Sequence, residues 1–176
     1  HGTNSYAVMH FVAQHYSTLL TFDWNKFPKL EGDVADSWNV SSDGLTYTFK
    51  LKKGIKFHDG TPLTSKDVKA TYDRLRNPPE GVISVRKALF SSISGITTPD
   101  ENTVVFKLSS PDAFMLDGFA SPFNAIYSAK DIAKDPKWHL KNINGTGPYK
   151  FVAHKKGESW KATKFDAFHH GDNCLD

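Results

Sequence analysis

Cysteine is nearly absent from the sequence: among 176 residues there is one, Cys174, so no disulfide can form within the chain. This fits the cytosol, and it equally fits a bacterial export compartment, where a domain with a large core needs no covalent cross-link. Apolar runs approaching the ~20 residues of a membrane-spanning helix are also missing. With a mean hydropathy of -0.46, the sequence predicts one water-soluble globular domain that buries about 70% of its unfolded surface.

The sequence also lacks a large net charge: it has 22 Lys and Arg residues and 19 Asp and Glu residues, so the formal net charge is +3. The cations are spread along the chain and form no basic block. Because a nucleic-acid-binding surface concentrates its cations on one face, we expect no nucleic-acid partner. The opening HGTNSYAVMH lacks the basic segment typical of a signal peptide. We therefore expect a protein that is not exported, or one whose leader lies outside this sequence.

Motifs of common catalytic sites are absent from the sequence. There is no G-x-S-x-G, and GTGPY at residues 145–149 lacks the Gly-Lys-Ser/Thr of a phosphate-binding loop. Pro148 also removes a backbone donor there, which favours a tight bend leading into a strand. The adjacent His58 and Asp59 make a poor acid–base pair, because neighbouring side chains on a strand point to opposite faces. We expect Asp59 to hydrogen-bond the backbone of a turn at Gly60 instead.

Metal-ligating residues are few and poorly spaced. His10 and His15 are five residues apart, which misses the spacing of three or four that places side chains on one helix face. The nearest approach to a metal cluster is His169-His170 with Cys174, since imidazole and thiolate are metal ligands. These are only three groups in a terminal tail, and no second Cys or His pair completes a recognised spacing. The sequence therefore predicts no resident metal, no cofactor and no enzyme.

Short periodic segments separated by turn signals dominate what the sequence does contain. Apolar residues alternate with polar ones over residues 45–51, directly after Asp43-Gly44, which predicts a β-hairpin closed by a type I′ turn. Further hairpins are predicted with Pro99-Asp100 and Lys156-Gly157 in their turns. Aromatic residues make up 13% of the chain; most are expected in the core, and some can line a ligand cleft.

Helices are predicted where apolar residues recur at intervals of three and four. The best defined begins after Thr64, which can cap it while Asp67 occupies its third position. Its apolar stripe consists of Val68, Tyr72 and Leu75. The remaining predictions are helices at residues 5–16, 82–90, 113–120 with a break at Gly118, and 128–135, and an extended segment at 121–127. The fold class predicted is α+β, with mainly antiparallel hairpins and short helices.

The order of these elements resembles a known family. ADSWNVSSDGLTYTFKLKKGIKFHDGTPLTSKDVKATYDRL, residues 35–75, is similar to the signature region of the family 5 bacterial extracellular solute-binding proteins. TPDENTVVFKLSSP at residues 98–111 resembles the second hairpin of that family, and NGTGPYKF at 144–151 resembles its return crossing. Residues 165–168 stand, as a looser match, where the family has an Asn-Pro-x-Tyr-Trp-like turn.

The resemblance implies the substrate-binding subunit of an ABC importer, which captures a peptide, a dipeptide or a nickel chelate. The implied fold is part of a type II periplasmic binding protein. Residues 1–20 would be a first-lobe segment with an opening helix, residues 21–144 a small α+β subdomain, and residues 145–176 strands that return to the first lobe. Members of the family are much longer, so the chain is expected to be a fragment without the second lobe.

The resemblance also implies particular site residues and partners. Ligand contacts are expected from Asn4, Tyr6, Arg86, Phe123 and Asn124, although Phe123 equally suits the core and Arg86 a solvated surface. The implied partners are the ligand and a membrane permease. The protein is expected to be a periplasmic or extracellular monomer, with a lipid anchor as an option.

A hinge and two other functional classes complete the expectations. Gly145 and Gly147 are the implied hinge, because glycine gives the backbone conformational freedom. One alternative function is a metal-dependent hydrolase that uses His58, His169 and His170. The other is an interaction domain that reuses the fold inside a regulator.

Overall fold

Short helices and strands follow one another in an order close to the predicted one. The computed structural model describes residues 6–23 and 25–171, with side chains from residue 9 onward. The α-helices are α1 (Tyr6–Val12), α2 (Ser65–Arg76), α3 (Met115–Ala120) and α4 (Ala129–Lys134). The strands are β1 (Leu20–Phe22), β2 (Leu30–Gly32), β3 (Ala35–Val40), β4 (Thr46–Leu51), β5 (Ile93–Asp100), β6 (Thr103–Leu108), β7 (Tyr149–Lys155) and β8 (Ser159–Lys164). Single 3₁₀ turns cover Ala13–His15, Ala88–Phe90, Pro122–Asn124 and Trp138–Leu140.

The three sheets found within residues 6–23 and 25–171 are all antiparallel. The largest has four strands in the order β3-β4-β6-β5, and the pairs β1-β2 and β7-β8 form separate two-stranded sheets. The pairs β3-β4, β5-β6 and β7-β8 are antiparallel because a tight turn reverses the chain beside itself. The pair β4-β6 is antiparallel too, although α2 and β5 lie between these strands in sequence. The α+β fold class predicted from the sequence is therefore confirmed. No helix in the part of the chain that the structure describes is long and apolar enough to cross a membrane.

The main core lies between the four-stranded sheet and helices α2 and α3. Tyr47, Phe49 and Leu51 are buried on one face of β4, which confirms the predicted alternation. The predicted stripe of α2 is confirmed too, since Val68, Tyr72 and Leu75 are fully buried. Five aromatic rings meet in this space, most of them edge-on, with Phe106 and Phe119 tilted to each other. We call them the aromatic core, which consists of Phe49, Tyr72, Phe90, Phe106 and Phe119.

The start of α2 also agrees with the sequence prediction. The backbone N–H of Thr64 donates to a carboxylate oxygen of Asp67 at 2.8 Å, and the Thr64 hydroxyl donates to the same oxygen at 3.0 Å. The other Asp67 oxygen accepts from the backbone N–H of Ala129 at 2.8 Å. One capping carboxylate therefore holds both the start of α2 and the start of α4.

Two predicted hairpins form with different turns. Among the described residues only glycines have positive φ, so Asp43 does not adopt the type I′ geometry that was predicted. Gly44 alone, at φ 70°, is left-handed, and the Asp43 carboxylate accepts from the Leu45 N–H at 2.9 Å. In the second hairpin Pro99 and Asp100 lie within β5, and the turn is at residues 101–102. Proline is tolerated there because β5 is an edge strand.

Two helical predictions and one prediction of an extended segment are also corrected. Helix α3 continues through Gly118 without a break. Glycine lets the helix pack closely against the Phe90 ring, since a Cβ at this position would lie only 3.3 Å from that ring. Residues 122–124, predicted to be extended, form a 3₁₀ turn that begins with proline. Over residues 82–90 only the 3₁₀ turn at Ala88–Phe90 is present.

Candidate functional site

A cleft lined mainly by aromatic and apolar side chains opens beside the end of α1. Its volume is about 480 Å³. Its walls come from α1 and the following turn, from the segment after α3, from the segment after α4, and from the β7-β8 hairpin. The side chains that define it are Val12, Tyr16, Phe123, Tyr127, His139 and Trp160. We call this space the aromatic cleft.

One wall of the aromatic cleft is a stack of rings held by α2. Tyr16 and Tyr127 have ring centroids 5.3 Å apart, and the His139 ring stacks on Tyr127 at 3.9 Å. The backbone N–H of Tyr127 donates to the Thr71 hydroxyl at 2.9 Å, which fixes the segment after α3 against α2. Burial raises the pKa of Tyr127 to about 12, while Arg74 opposes this rise. Burial lowers the pKa of His139 to about 4, so the rings of this wall are uncharged at neutral pH.

The opposite wall depends on a neutral imidazole. His15 Nδ1 donates to the Tyr149 carbonyl at 2.6 Å, and the indole N–H of Trp160 donates to His15 Nε2 at 3.0 Å. Only the tautomer protonated at Nδ1 can make both bonds. Burial lowers the pKa of His15, although the bond to Tyr149 opposes that change. His15 thus locks the β7-β8 hairpin and positions Trp160 at the cleft.

The turn at residues 57–60, FHDG, is hydrogen-bonded to the segment that contains Gly145 and Gly147. The His58 side chain donates from Nε2 to the Gly147 carbonyl at 2.9 Å, and its backbone N–H donates to the Gly145 carbonyl at 2.8 Å. Burial lowers the pKa of His58 to about 4, against the raising effect of the Gly147 bond. Asp59 accepts from the Thr61 N–H at 3.0 Å, as predicted for a turn residue. His58 is therefore uncharged at neutral pH, and it connects the turn to the backbone of Gly145 and Gly147.

Gly145 and Gly147 lie directly against the 3₁₀ turn that follows α1 and against Tyr16. A Cβ on Gly147 would lie 2.5 Å from the Tyr16 nitrogen, and one on Gly145 would lie 2.6 Å from the Tyr16 ring. Neither glycine has a positive φ. Both positions need glycine because another stretch of backbone approaches closely and leaves no room for a Cβ. The reason that was predicted, conformational freedom of the backbone, does not apply to the conformation seen here. The hinge role itself stays a prediction.

The structure places the predicted ligand-contacting residues unequally around the cleft. Asn4 lies outside the described residues, and Tyr6 begins α1. Phe123 lines the aromatic cleft, and the Arg86 guanidinium lies over the Phe123 ring at 4.5 Å. Asn124 is fully buried, and its amide donates to the Gly118 carbonyl at 2.7 Å, away from the cleft lining. The ligand roles of all five stay predictions.

Most residues that shape the cleft were not singled out from the sequence. Tyr16, Tyr127, His139 and Trp160 lie on four separate segments. The aromatic content was the one signal that pointed to them, and it could not tell lining residues from core residues. Their convergence depends on long-range packing, which periodicity within a single segment does not report.

The histidines of the hydrolase alternative do not converge on one site in the described residues. His169 and His170 both contact Asp33, at 2.9 and 3.0 Å between Nε2 and Oδ1. His58 instead contacts Gly147 and packs its ring against Phe165 at 4.9 Å. Cys174, which the sequence placed with the histidine pair, lies outside the described residues.

Lowering the pH from 7 to 5 is expected to reduce the free energy of unfolding. Burial lowers the pKa values of His15, His58 and His139, the last two to about 4. In the unfolded chain these groups titrate near pH 6.5. Between about pH 6.5 and 4 the unfolded chain therefore binds protons that the folded chain does not. Stability is complete above this window and falls as the pH decreases, by at most about 1.4 kcal/mol per pH unit for each histidine and less where water reaches the ring.

The measurement is the urea midpoint at both pH values. Substitution of His58 by glutamine should shrink the pH effect, whereas substitution of the exposed His10 by alanine should leave it unchanged. Equal stability of the parent chain at pH 7 and pH 5 would contradict the expectation.

The fold matches part of the fold of the type II periplasmic binding proteins. One solved example is the ABC transporter-associated periplasmic binding protein DppA of Helicobacter pylori, in complex with the peptide STSA. It matches with a TM-score of 0.85 and 26% identity, over 96% of this chain and 36% of its own.

The sequence comparisons define the family. Residues 29–175 match the family described as bacterial extracellular solute-binding proteins, family 5 Middle, and the chain belongs to this family. A putative ABC transporter peptide-binding protein of Brucella ovis is 42% identical over 80% of this chain. A glutathione-binding protein of Pectobacterium atrosepticum is 36% identical over 84%. The chain spans 27% and 28% of the lengths of these two relatives.

Proposed function

We propose that the chain is part of a substrate-binding subunit that captures a peptide or similar small solute for the permease of an ABC importer. The observation that carries the proposal is the aromatic cleft, found in a member of a solute-binding family. Its volume of about 480 Å³ lies within the range of about 300–1,000 Å³ common for small-ligand sites. Aromatic rings can hold the apolar parts of a short peptide, and few charges need to be desolvated there.

The Arg86–Phe123 pair supports a ligand with a free carboxylate. A guanidinium presents a planar fork that matches a carboxylate in bidentate fashion. Arg86 lies over the ring of Phe123, which lines the cleft, and we propose that this contact holds its charge at the rim. The names of the relatives point to the same class, because glutathione and the peptide STSA both carry free carboxylates.

Capture without chemical conversion follows from the groups around the cleft. His15 uses both ring nitrogens in hydrogen bonds, and His58 is bound to backbone. Neither is placed to act as a general base. We therefore propose a binding protein and no enzymatic activity, and the hydrolase alternative receives no support from the relatives.

We also propose how the chain is divided between lobes and where the protein is located. Residues 1–20 and 145–176 would belong to a first lobe and residues 21–144 to a subdomain, with Gly145 and Gly147 at the crossing between them. A second lobe would close over the solute, in an equilibrium biased by the ligand's preference for the closed form. We propose a periplasmic or extracellular monomer that contacts a permease and no nucleic acid. A lipid anchor would be tested by the leader encoded in the gene.

Peptide binding should be visible at Trp160, because its indole lies in the cleft lining. We would titrate the ¹⁵N-labelled chain with glutathione and with the peptide Ser-Thr-Ser-Ala, and follow the indole signals by NMR. A saturable shift of the Trp160 signal, assigned with Trp160→Phe, is expected, while Trp38 in the four-stranded sheet should not move. Unchanged spectra for both peptides at millimolar concentration, together with no peptide binding by the full-length protein that contains this chain, would overturn the proposal of a peptide site in this cleft.

Arg86→Ala is expected to weaken binding of Ser-Thr-Ser-Ala by about tenfold or more, since hydrogen bonds to a charged group contribute about 1.5–3 kcal/mol. The same peptide with an amidated C-terminus should lose little affinity in this variant. Lys87→Ala, at the exposed neighbouring position, is the matched control and should bind both peptides like the parent chain. Equal losses for the free and amidated peptides would show that Arg86 does not bind the carboxylate.

A further inference from the structure

A second cluster of polar side chains lies apart from the aromatic cleft. Asp33, His169 and His170 each offer one ligand atom, and these atoms all lie within 4.8 Å of one another. Both imidazoles approach the same carboxylate oxygen, Asp33 Oδ1, at 2.9 and 3.0 Å. We call this group the His-His-Asp cluster. It joins the bend after β2 to the segment after β8, across 136 positions of sequence.

Backbone geometry explains why two consecutive histidines face the same point. On a strand their side chains would point to opposite faces. Here they occupy the middle of a turn in which the Gly171 N–H donates to the Phe168 carbonyl at 3.3 Å. The turn brings the two imidazole centroids within 4.5 Å of each other. Phe168 packs against both rings, at 4.9 and 5.4 Å, and thereby limits their rotation.

We propose that Asp33, His169 and His170 bind a divalent transition-metal ion of the Zn²⁺ and Ni²⁺ class. Two imidazoles and one carboxylate form a ligand set that these ions accept, whereas Ca²⁺ and Mg²⁺ prefer oxygen alone. Metal–ligand bonds of about 2.0–2.2 Å place tetrahedral ligand atoms about 3.3 Å apart. The two separations between an imidazole Nε2 and Asp33 Oδ1, 2.9 and 3.0 Å, are a few tenths of an ångström shorter than this, and the imidazole ligand atoms lie within 4.8 Å of each other.

The surroundings of Asp33 prepare it for this role. Its second oxygen, Oδ2, accepts from the Thr18 backbone N–H at 2.7 Å, which leaves Oδ1 directed at the imidazoles. Hydrogen bonds of this kind orient a metal-binding carboxylate. The bond from Thr18 therefore holds the Asp33 side chain with Oδ1 facing both histidines.

The position of the cluster gives the bound ion a structural role. His169 and Asp33 have side chains only 7% and 14% exposed, while His170 is 37% exposed. A coordinated ion would fasten the segment after β8 to the β2–β3 bend. This inference is independent of solute binding, because none of the three residues lines the aromatic cleft.

The test is a calorimetric titration of the full chain with Zn²⁺, using Cys174→Ser throughout so that the single thiol cannot contribute. We expect one Zn²⁺ per chain. His170→Ala and Asp33→Asn should each lower the affinity by at least about tenfold. His10→Ala removes an exposed histidine elsewhere and should not change it. Co²⁺ should give the visible absorption of a tetrahedral site in the parent and not in His170→Ala.

A structural role adds a second readout. Zn²⁺ at a hundredfold excess over its Kd should raise the Tm of the parent by about 5–10 °C and raise that of His170→Ala far less. His170 is partly exposed, so this variant keeps the test valid even if Asp33→Asn unfolds the chain. Absence of saturable Zn²⁺ binding, or equal affinity in the parent and His170→Ala, overturns the proposal.

Discussion

Replacing Gly145 by alanine is expected to lower the free energy of unfolding by about 3 kcal/mol or more. A Cβ at this position would overlap the His15 carbonyl oxygen and lie 2.6 Å from the Tyr16 ring. The obstacle includes backbone, which cannot rotate away as the end of a flexible side chain could. The Gly145 carbonyl also accepts the His58 N–H, so displacement of this segment would release the turn at residues 57–60 and disturb Tyr16, which lines the aromatic cleft.

The matched control for Gly145→Ala is Gly95→Ala. Gly95 lies in β5, has no positive φ, and a Cβ there would meet nothing within 4 Å. Because alanine restricts the unfolded chain at a compatible position, this variant should be neutral or more stable by about 0.4–1 kcal/mol. Urea denaturation followed by circular dichroism compares the two variants. Surface substitutions typically change the free energy of unfolding by no more than about 0.5 kcal/mol. If Gly145→Ala changed it by no more than this, the close approach of the backbone would not matter for stability.

Phe119→Ala is expected to cost about 3–5 kcal/mol of unfolding free energy. Phe119 is fully buried on α3, and its ring centroid lies 4.7 Å from that of Phe106, 5.1 Å from Phe49 and 5.3 Å from Tyr72. Removing the ring would leave a cavity bounded by rigid neighbours from β4, β6 and α2, which cannot collapse together to fill it.

Phe114→Ala provides the comparison for Phe119→Ala. Phe114 is five residues earlier, at the start of α3, and is 69% exposed. Its loss should change stability by less than about 0.5 kcal/mol. Thermal and urea unfolding of both variants separate loss of core packing from a general loss of aromatic surface. A cost for Phe119→Ala below about 1 kcal/mol would mean that α3 is not integral to the aromatic core.

Local patterns were reliable where one physical constraint acted alone. The alternation in β4 reflects one buried face and one wet face, and it needed no knowledge of the partner strands. The start of α2 was predictable because Thr64 and Asp67 satisfy backbone groups within three residues of each other. The motif order was specific enough to indicate the family, which the comparisons then established.

Turns and short helices were less predictable because neighbouring segments compete with local preference. Asp43 uses its carboxylate to hold the Leu45 N–H and avoids the left-handed conformation that a type I′ turn requires. Pro99 remains in β5 because that strand is at the edge of the sheet. Gly118 remains helical because it lies against Phe90. Pro99 and Gly118 are decided by the surrounding structure, which their own segments do not reveal. Asp43 is decided by a side-chain hydrogen bond that the turn rule does not include.

The sequence by itself determined the α+β class, the alternation of β4, the capped helix α2 and the likeness to a solute-binding family. All of these depend on spacing within a few residues or on the order of motifs along the chain. Tertiary structure alone decided which aromatic residues line the cleft, why Gly145 and Gly147 must be small, and that Asp33 joins His169 and His170. The physical reason is that these features depend on contacts between segments far apart in sequence, and local periodicity does not encode which distant backbone a side chain will meet.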